Sequence, residues 1–373
     1  MITDKKIIVA GHVCLDITPI VPDGTDGNNF QFTPGKLITM DGVDVHTGGA
    51  VSNTGLALHI LGANVSLMGK IGNDEFGRLI IEGLERYRVN CEHDMIITPY
   101  AQTSFSVVIA IPGVNRTFLH CPGANDTFCS NDIDYDSIRN AALFHFGYPP
   151  LMKKMYENDG EDCIRMFQTV KSLGVATSLD MSFIDRESDA AKADWGKILK
   201  NLLPYVDFFL PSAEELCMML HPDRFDEWNE RANGDPDIMQ YVDIEKDIKP
   251  LAEELMSYHA KVVVIKCGSK GLYYTTGSYN ALTDIGANAS INLSAWADKE
   301  EWIKPYKPEF IRSGVGAGDA CIAAFLAATL EGMPIHDAAR LAAAEGACSL
   351  EGYDALSSLR TLPELQKMFL MGY

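Results

Sequence analysis

Long apolar runs, positive charge and paired cysteines are all scarce in this 373-residue chain. Its longest apolar stretch, residues 320–330, stops at Glu331, well short of the ~18–20 residues needed to cross a bilayer. Residues 1–16 place only a few apolar side chains between Lys6 and His12 before reaching Asp16, too short and polar a pattern for a secretory signal. Lys and Arg number 31 against 51 Asp and Glu, and the net charge of −20 repels phosphate backbones and anionic lipid surfaces. No local basic patch offsets it, so the sequence predicts no nucleic-acid partner and no membrane partner. The nine cysteines are an odd number without any C-x-x-C, which gives neither a disulfide framework nor a zinc site. A reducing, cytoplasmic setting is expected. Also missing are G-x-x-x-x-G-K-[ST], H-E-x-x-H, internal repeats and low-complexity tracts. The glycines at 314, 316 and 318 fail as G-x-G-x-x-G because Asp319 breaks the pattern.

What is present reads as a folded core: 47% hydrophobic and 22% charged residues match an ordinary globular protein and disfavour disorder or a coiled coil. Apolar, β-branched runs recur at 5–13, 65–71, 141–146, 175–180, 206–210 and 262–266, each followed by turn or cap residues. Helix-like segments at 52–61, 75–87, 155–172, 214–220 and 244–259 lie between them. Strands alternating with helices predict an α/β fold, a mostly parallel central sheet covered on both faces. Ligands of such sheets sit beyond the carboxyl ends of the strands. Three stretches break the alternation. Residues 21–45 are rich in Gly, Pro, Asp and Asn, and 103–111 with 116–120 read as a hairpin turning around Pro112, Gly113, Val114 and Asn115, short strands that suit a lid. Residues 278–308, with Pro, Trp and mixed charge, read as an insertion or long loop.

The strongest chemical feature is Gly316-Ala317-Gly318-Asp319, directly before an apolar helix. Small residues let backbone N–H groups at a helix start converge on one point, where they and the helix dipole stabilise negative charge. Asp319 at that point has two readings, a cap for the helix start or a base taking a proton from a hydroxyl that attacks phosphorus. A second feature, His46-Thr47-Gly48-Gly49-Ala50-Val51-Ser52-Asn53, combines two glycines that permit close backbone approach with an Asn one turn into a helix, whose donors and acceptor suit a polyol. Asp16, after the first apolar strand, is placed to accept hydrogen bonds from two hydroxyls. Turn formation, an ordinary Gly-rich loop and a solvated Asn are the bland alternatives.

These motifs, with residues 11–16, Ile71-Gly72-Asn73-Asp74-Glu75-Phe76-Gly77 and Gly123-Ala124-Asn125, occur in an order and spacing that resembles the ribokinase-like (pfkB) family of carbohydrate and nucleoside kinases over nearly the whole chain. The resemblance implies a three-layer αβα catalytic domain across residues 1–373 with a small β lid from 13–47 and 99–121. It implies ATP and Mg2+ as cofactors and transfer of the γ-phosphoryl group to a hydroxyl of a monosaccharide or sugar acid. A nucleoside kinase on the same fold, or a non-catalytic sugar or nucleotide sensor, are the alternatives. Asp319 would be the base, the amides of Gly316, Ala317 and Gly318 the anion hole, and Asp16, Gly48, Gly49 and Asn53 the sugar contacts. The family's Asn-x-x-Glu element corresponds to Ser212-Ala213-Glu214-Glu215, so Glu215 is the expected magnesium residue and Ser212 stands where the family has Asn. Lys266, Gly268 and Gly271 resemble the nucleotide-side strand and turn. Asp180 lies either near the phosphates or in a cap. Ser313 replaces an acid that often belongs to a monovalent-cation site, so potassium dependence is not carried over. An exposed lid edge offers a route to a homodimer.

Overall fold

The computed structural model describes residues 4–27, 30–89, 94–112 and 117–370. Six parallel strands form the body of the central sheet, in the spatial order Asn64–Met68, Lys6–Gly11, Leu143–Gly147, Ala176–Asp180, Phe208–Phe209 and Val262–Lys266. Two antiparallel strands, Leu272–Thr276 and Glu300–Ile303, complete one edge. The parallel strands are buried on both faces, which is why they read as unbroken apolar runs. Alternate side chains of the first strand separate the two layers. Ile7 and Val9 pack with the helices Ala50–Ile60, Ala317–Leu330 and Ile335–Ser349, while Ile8 and Ala10 pack with Lys153–Ser172, Trp195–Leu202 and Ala213–Leu220. This is the expected αβα sandwich.

After Lys6–Gly11 the chain leaves for Asn64–Met68 on one side and returns to Leu143–Gly147 on the other. The order reverses there, and the crevice beyond Gly11 and Gly147 is the topological switch point where open α/β sheets bind ligands. The chain crosses from core to lid at this crevice: His12 and Val13 break the first strand, and Cys14–Ile20 continues into a separate four-stranded sheet. That sheet runs Gly42–Gly48, Cys14–Ile20, Phe105–Ile109, Thr117–Cys121.

Several expected elements need correction. The run at 65–71 is two strands in different sheets, Asn64–Met68 and Lys70–Gly72, separated at Gly69. The run at 206–210 pairs over Phe208–Phe209 alone. The expected helix at 155–172 begins at Lys153 and is kinked by left-handed Asn158, Asp159 and Gly160. The helix at 244–259 opens as a π-turn, Ile244–Ile248; the α-helix is Lys249–Ser257, with Pro250 in its first turn, where a missing N–H costs no helix bond. Residues 278–308 are not a loose insertion: they supply the edge strand Glu300–Ile303 and the fully buried Trp296. The lid hairpin pairs Phe105–Ile109 with Thr117–Cys121. Gly113, Val114, Asn115 and Arg116 of the expected turn and strand start lie outside the described residues.

Candidate active site

Gly316 is the cap of the helix Ala317–Leu330, in the left-handed conformation at φ 76°, and no side chain caps the helix start. A methyl group on Gly316 would sit 2.2 Å from Cβ of Ala355, so this position demands glycine twice over, for its backbone angle and for its packing. The amides of the first turn thus have no side-chain cap. Asp319 does not close the helix start. Its Oδ1 accepts from the Thr54 hydroxyl at 2.7 Å, and its Oδ2 accepts from the Asn53 amide at 3.3 Å. The Tyr148 hydroxyl donates to both oxygens, at 2.9 and 2.7 Å. Burial pushes the Asp319 carboxyl above the usual carboxylate range, while these donors and the Lys266 ammonium pull it back.

Lys266, ending its strand, donates to Oδ1 of Asp180 at 2.7 Å and to the Leu210 carbonyl at 2.6 Å. Its stem runs 3.4 Å from where a Gly318 side chain would begin, which brings the ammonium to the helix start. Asp180 is therefore an ion-pair partner and not a cap. Burial raises its carboxyl above the usual carboxylate range, with Glu215 and Asp319 pushing the same way, and the Lys266 ammonium opposes the rise. Lys266 is held up in turn by Asp180 and Glu215 despite its burial. Ser212 forms a parallel bridge with Lys266 and a capping box with Glu215: the Ser212 N–H donates to Oε2 of Glu215 at 2.7 Å and the Glu215 N–H to the Ser212 hydroxyl at 3.2 Å. Gly268 and Gly271 lie in the turn after Lys266. Gly271 packs where a side chain would meet the Ile303 carbonyl at 2.2 Å, so its glycine is required by the edge strand.

A cavity of about 1920 Å3 opens between the core and the lid, larger than the ~300–1,000 Å3 of a typical ligand site. Asp16, Gly49, Asn53, Gly316 and Asp319 all line it. From the lid, the directly paired residues His46, Asp16, Ser106 and His120 form one cross-strand row facing the cavity, as the two-residue period of a strand requires. Gly48 is buried beneath Asp16, and a methyl there would meet the Asp16 carboxylate at 2.3 Å. Burial raises the Asp16 carboxyl, and hydrogen bonds from Cys14 and Ser106 oppose the rise. Ala317, Gly318, Lys266, Ser212 and Glu215 make the adjoining neighbourhood on the core side.

Three residues of the site were not singled out from the sequence. Thr54 and Tyr148 hold Asp319. His12, 2% exposed, lines the cavity with neither ring nitrogen hydrogen-bonded. Burial, helped by the His120 ring 5.4 Å away, lowers its pKa to about 3, so it is neutral. A histidine directly after Gly11 at the end of the first strand was the available signal; for Tyr148 it was a Tyr-Pro-Pro turn ending another strand. Among the described residues no group of three or more His, Cys, Asp and Glu side chains forms a ready-made metal shell, and no helix is long and apolar enough to cross a membrane.

Comparison with known proteins gives the family and the fold. A family model for pfkB family carbohydrate kinases matches residues 5–362. An uncharacterized sugar kinase of Archaeoglobus fulgidus is 26% identical over 306 residues, covering 82% of this chain and 98% of the relative. Probable fructokinase-4 of Arabidopsis thaliana is 22% identical across 98% of this chain and 97% of its own. Among solved structures, Arabidopsis thaliana ribokinase complexed with ribose and ATP superposes with a TM-score of 0.71 at 20% identity, 99% of each chain being covered. At that identity the structural likeness shows the fold.

Proposed function

The chain belongs to the pfkB family of carbohydrate kinases, and from that premise we propose that it moves the γ-phosphoryl group of ATP to a hydroxyl of an uncharged monosaccharide, with Asp319 as the base. One observation carries this reading: the Asp319 carboxylate is buried on neutral donors at a helix start, with the cavity at its side. A carboxylate so held keeps a proton affinity above that of a solvated aspartate, which suits a base. As the sugar oxygen bonds to the γ-phosphorus, its proton passes to Asp319 and the bond between the γ-phosphorus and the bridging oxygen breaks, releasing ADP.

The residues present fit a magnesium-bound nucleotide. Uncapped amides at Gly316, Ala317 and Gly318 and the Lys266 ammonium offer one cluster of positive potential for phosphate oxygens. Glu215 commits Oε2 to its capping box, and Oε1 takes no part in it; magnesium asks for only one or two carboxylates beside water and phosphate. Ser212, bridged to Lys266, would face the same phosphates, and the Gly268 to Gly271 turn would border the nucleotide. When bound, Mg2+ and ATP supply the transferable group and neutralise its charge. On the acceptor side Asp16 and Asn53 would hold sugar hydroxyls, while Gly48 makes room for the Asp16 carboxylate and Gly49 for His12.

Charge selects the acceptor. Seven aspartates line the cavity against two arginines, Arg86 and Arg312. That excess repels a carboxylated or phosphorylated sugar, which favours a neutral monosaccharide over the sugar acid. Phe118 and Phe183 present aromatic surface to the same cavity, the observation that keeps a nucleoside acceptor in the test. ADP release should be followed with Mg2+ and ATP across neutral aldoses and ketoses, sugar acids and nucleosides. A neutral sugar should support the highest kcat/KM. Preference for a sugar acid or nucleoside overturns the substrate class, and no acceptor-dependent ADP release from any of them overturns the reading itself.

A further inference from the structure

We propose that Tyr148 is a positioning residue for the base: its hydroxyl fixes the orientation of the Asp319 carboxylate and favours the ionised form needed to take a proton. The inference rests on the reading of Asp319 as base. Its geometry comes from the fold. The strand Leu143–Gly147 ends at the switch point, and the next residue, Tyr148, adopts φ 66°, ψ 43°, a left-handed conformation that a bulky side chain rarely takes. Such a residue persists only where its surroundings over-determine it, and these residues gather at functional sites. Here the Tyr148 N–H points to the Asp180 carbonyl at 3.4 Å, the Leu151 N–H returns to the Tyr148 carbonyl at 3.0 Å, and Pro149 and Pro150 stiffen the turn. The hydroxyl is thereby delivered across the crevice to a carboxylate 171 positions away.

Tyr148 can act only as a donor at this place. Burial, reinforced by the charges of Asp319, Asp180 and Glu215, pushes its hydroxyl well above the ordinary tyrosine value. Its one proton, shared between Oδ1 and Oδ2, fixes the plane of the carboxylate, while Thr54 anchors Oδ1 and Asn53 touches Oδ2. The other titratable groups facing the pair are Lys266, Asp180 and Glu215 from the core side and the neutral His12 ring, 6.2 Å from Tyr148. Among these, the hydroxyls of Tyr148 and Thr54 and the Asn53 amide are the neutral donors that favour the charged form of Asp319. Thr54 and Asn53 share a helix turn, whereas Tyr148 approaches from a different element.

Tyr148→Phe keeps the ring and removes the donor. With the best sugar, the acid limb of kcat/KM should move up by about one pH unit, the size expected of one hydrogen bond to a charged group. At neutral pH kcat should fall about tenfold, with the KM for ATP changed less than about threefold. An unmoved limb overturns the proposal, including the case in which kcat and melting temperature both drop, since that pattern belongs to a structural role. A second measurement does not depend on turnover: the carboxyl 13C resonance of Asp319 in aspartate-labelled protein, identified by its loss in Asp319→Asn, should titrate at higher pH in Tyr148→Phe than in the unsubstituted protein. Equal titration overturns the proposal. If no sugar is phosphorylated, this comparison alone decides it, so the two readings fail separately.

Discussion

Two buried aspartates at opposite ends of the central sheet have opposite surroundings. Asp207, fully buried before the strand Phe208–Phe209, accepts from the Lys171 ammonium, from the Thr177 N–H at 3.0 Å and from the Gly286 N–H at 3.2 Å, with Lys261 at 3.6 Å. Asp319, at the carboxyl end, is 4% exposed and accepts from a threonine, a tyrosine and an asparagine, with a cavity beside it. Both are hydrogen-bonded, so both can be buried. They differ in what balances the charge. At Asp207 two lysine ammonium groups face the charge, and its hydrogen bonds join helix, sheet and the 278–308 segment. Neutral donors leave Asp319 able to change protonation state. Burial is common to both; neutral partners next to open space are what set Asp319 apart as the candidate base.

The comparison can be broken first on stability. Asp207→Asn should cost up to about 3 kcal/mol in urea unfolding, because it leaves two lysines, 12% and 5% exposed, with only the solvent-facing Asp284 carboxylate and backbone carbonyls as partners. Asp319→Asn should cost less than about 1 kcal/mol, since an amide retains the shape and removes a charge that burial disfavours. A comparable loss in both variants would erase the distinction. The next effect is at Gly316. Alanine there must leave φ 76° or collide with Ala355, a strain of about 1–3 kcal/mol, and should raise the KM for ATP while sugar binding by calorimetry holds. Gly48→Ala should displace the Asp16 carboxylate and raise the sugar KM about tenfold, a loss of about 1.4 kcal/mol, with the KM for ATP steady. The smallest effect is in pH. A carboxyl whose folded pKa is raised binds protons more tightly folded than unfolded, so its contribution favours folding at low pH and is lost as pH climbs through the folded value. Activity runs the other way: kcat/KM should fall with decreasing pH along a limb above the ordinary aspartate range, and residual turnover in Asp319→Asn should lack that limb.

The same contrast explains what the sequence made legible. Gly48, Gly49 and Gly316 announced themselves because close approach or a positive φ leaves few alternatives to glycine, and the parallel strands because burial on both faces needs unbroken apolar runs. Asp319 was ambiguous between cap and base, since only its partners decide, and those come from residues 53, 54 and 148, far away in the chain. The Tyr-Pro-Pro turn marked a strand end at Tyr148 and gave no hint of its partner, for the same reason. Residues 278–308 read as an insertion because polar, Trp-containing sequence carries no strand period; Trp296 is buried against Phe208 and Phe325, contacts invisible without the fold. The run at 206–210 marked a strand, and only the fold shows that its pairing is confined to Phe208–Phe209.

The central claim is tested most directly by measuring kcat for ADP release at saturating ATP, Mg2+ and the preferred sugar in Asp319→Asn beside the unsubstituted enzyme. The account predicts a fall of at least about a hundredfold, within the range a positioned base contributes, with sugar still bound at its original Kd. An Asp319→Asn enzyme that turns over at the unsubstituted rate would contradict it.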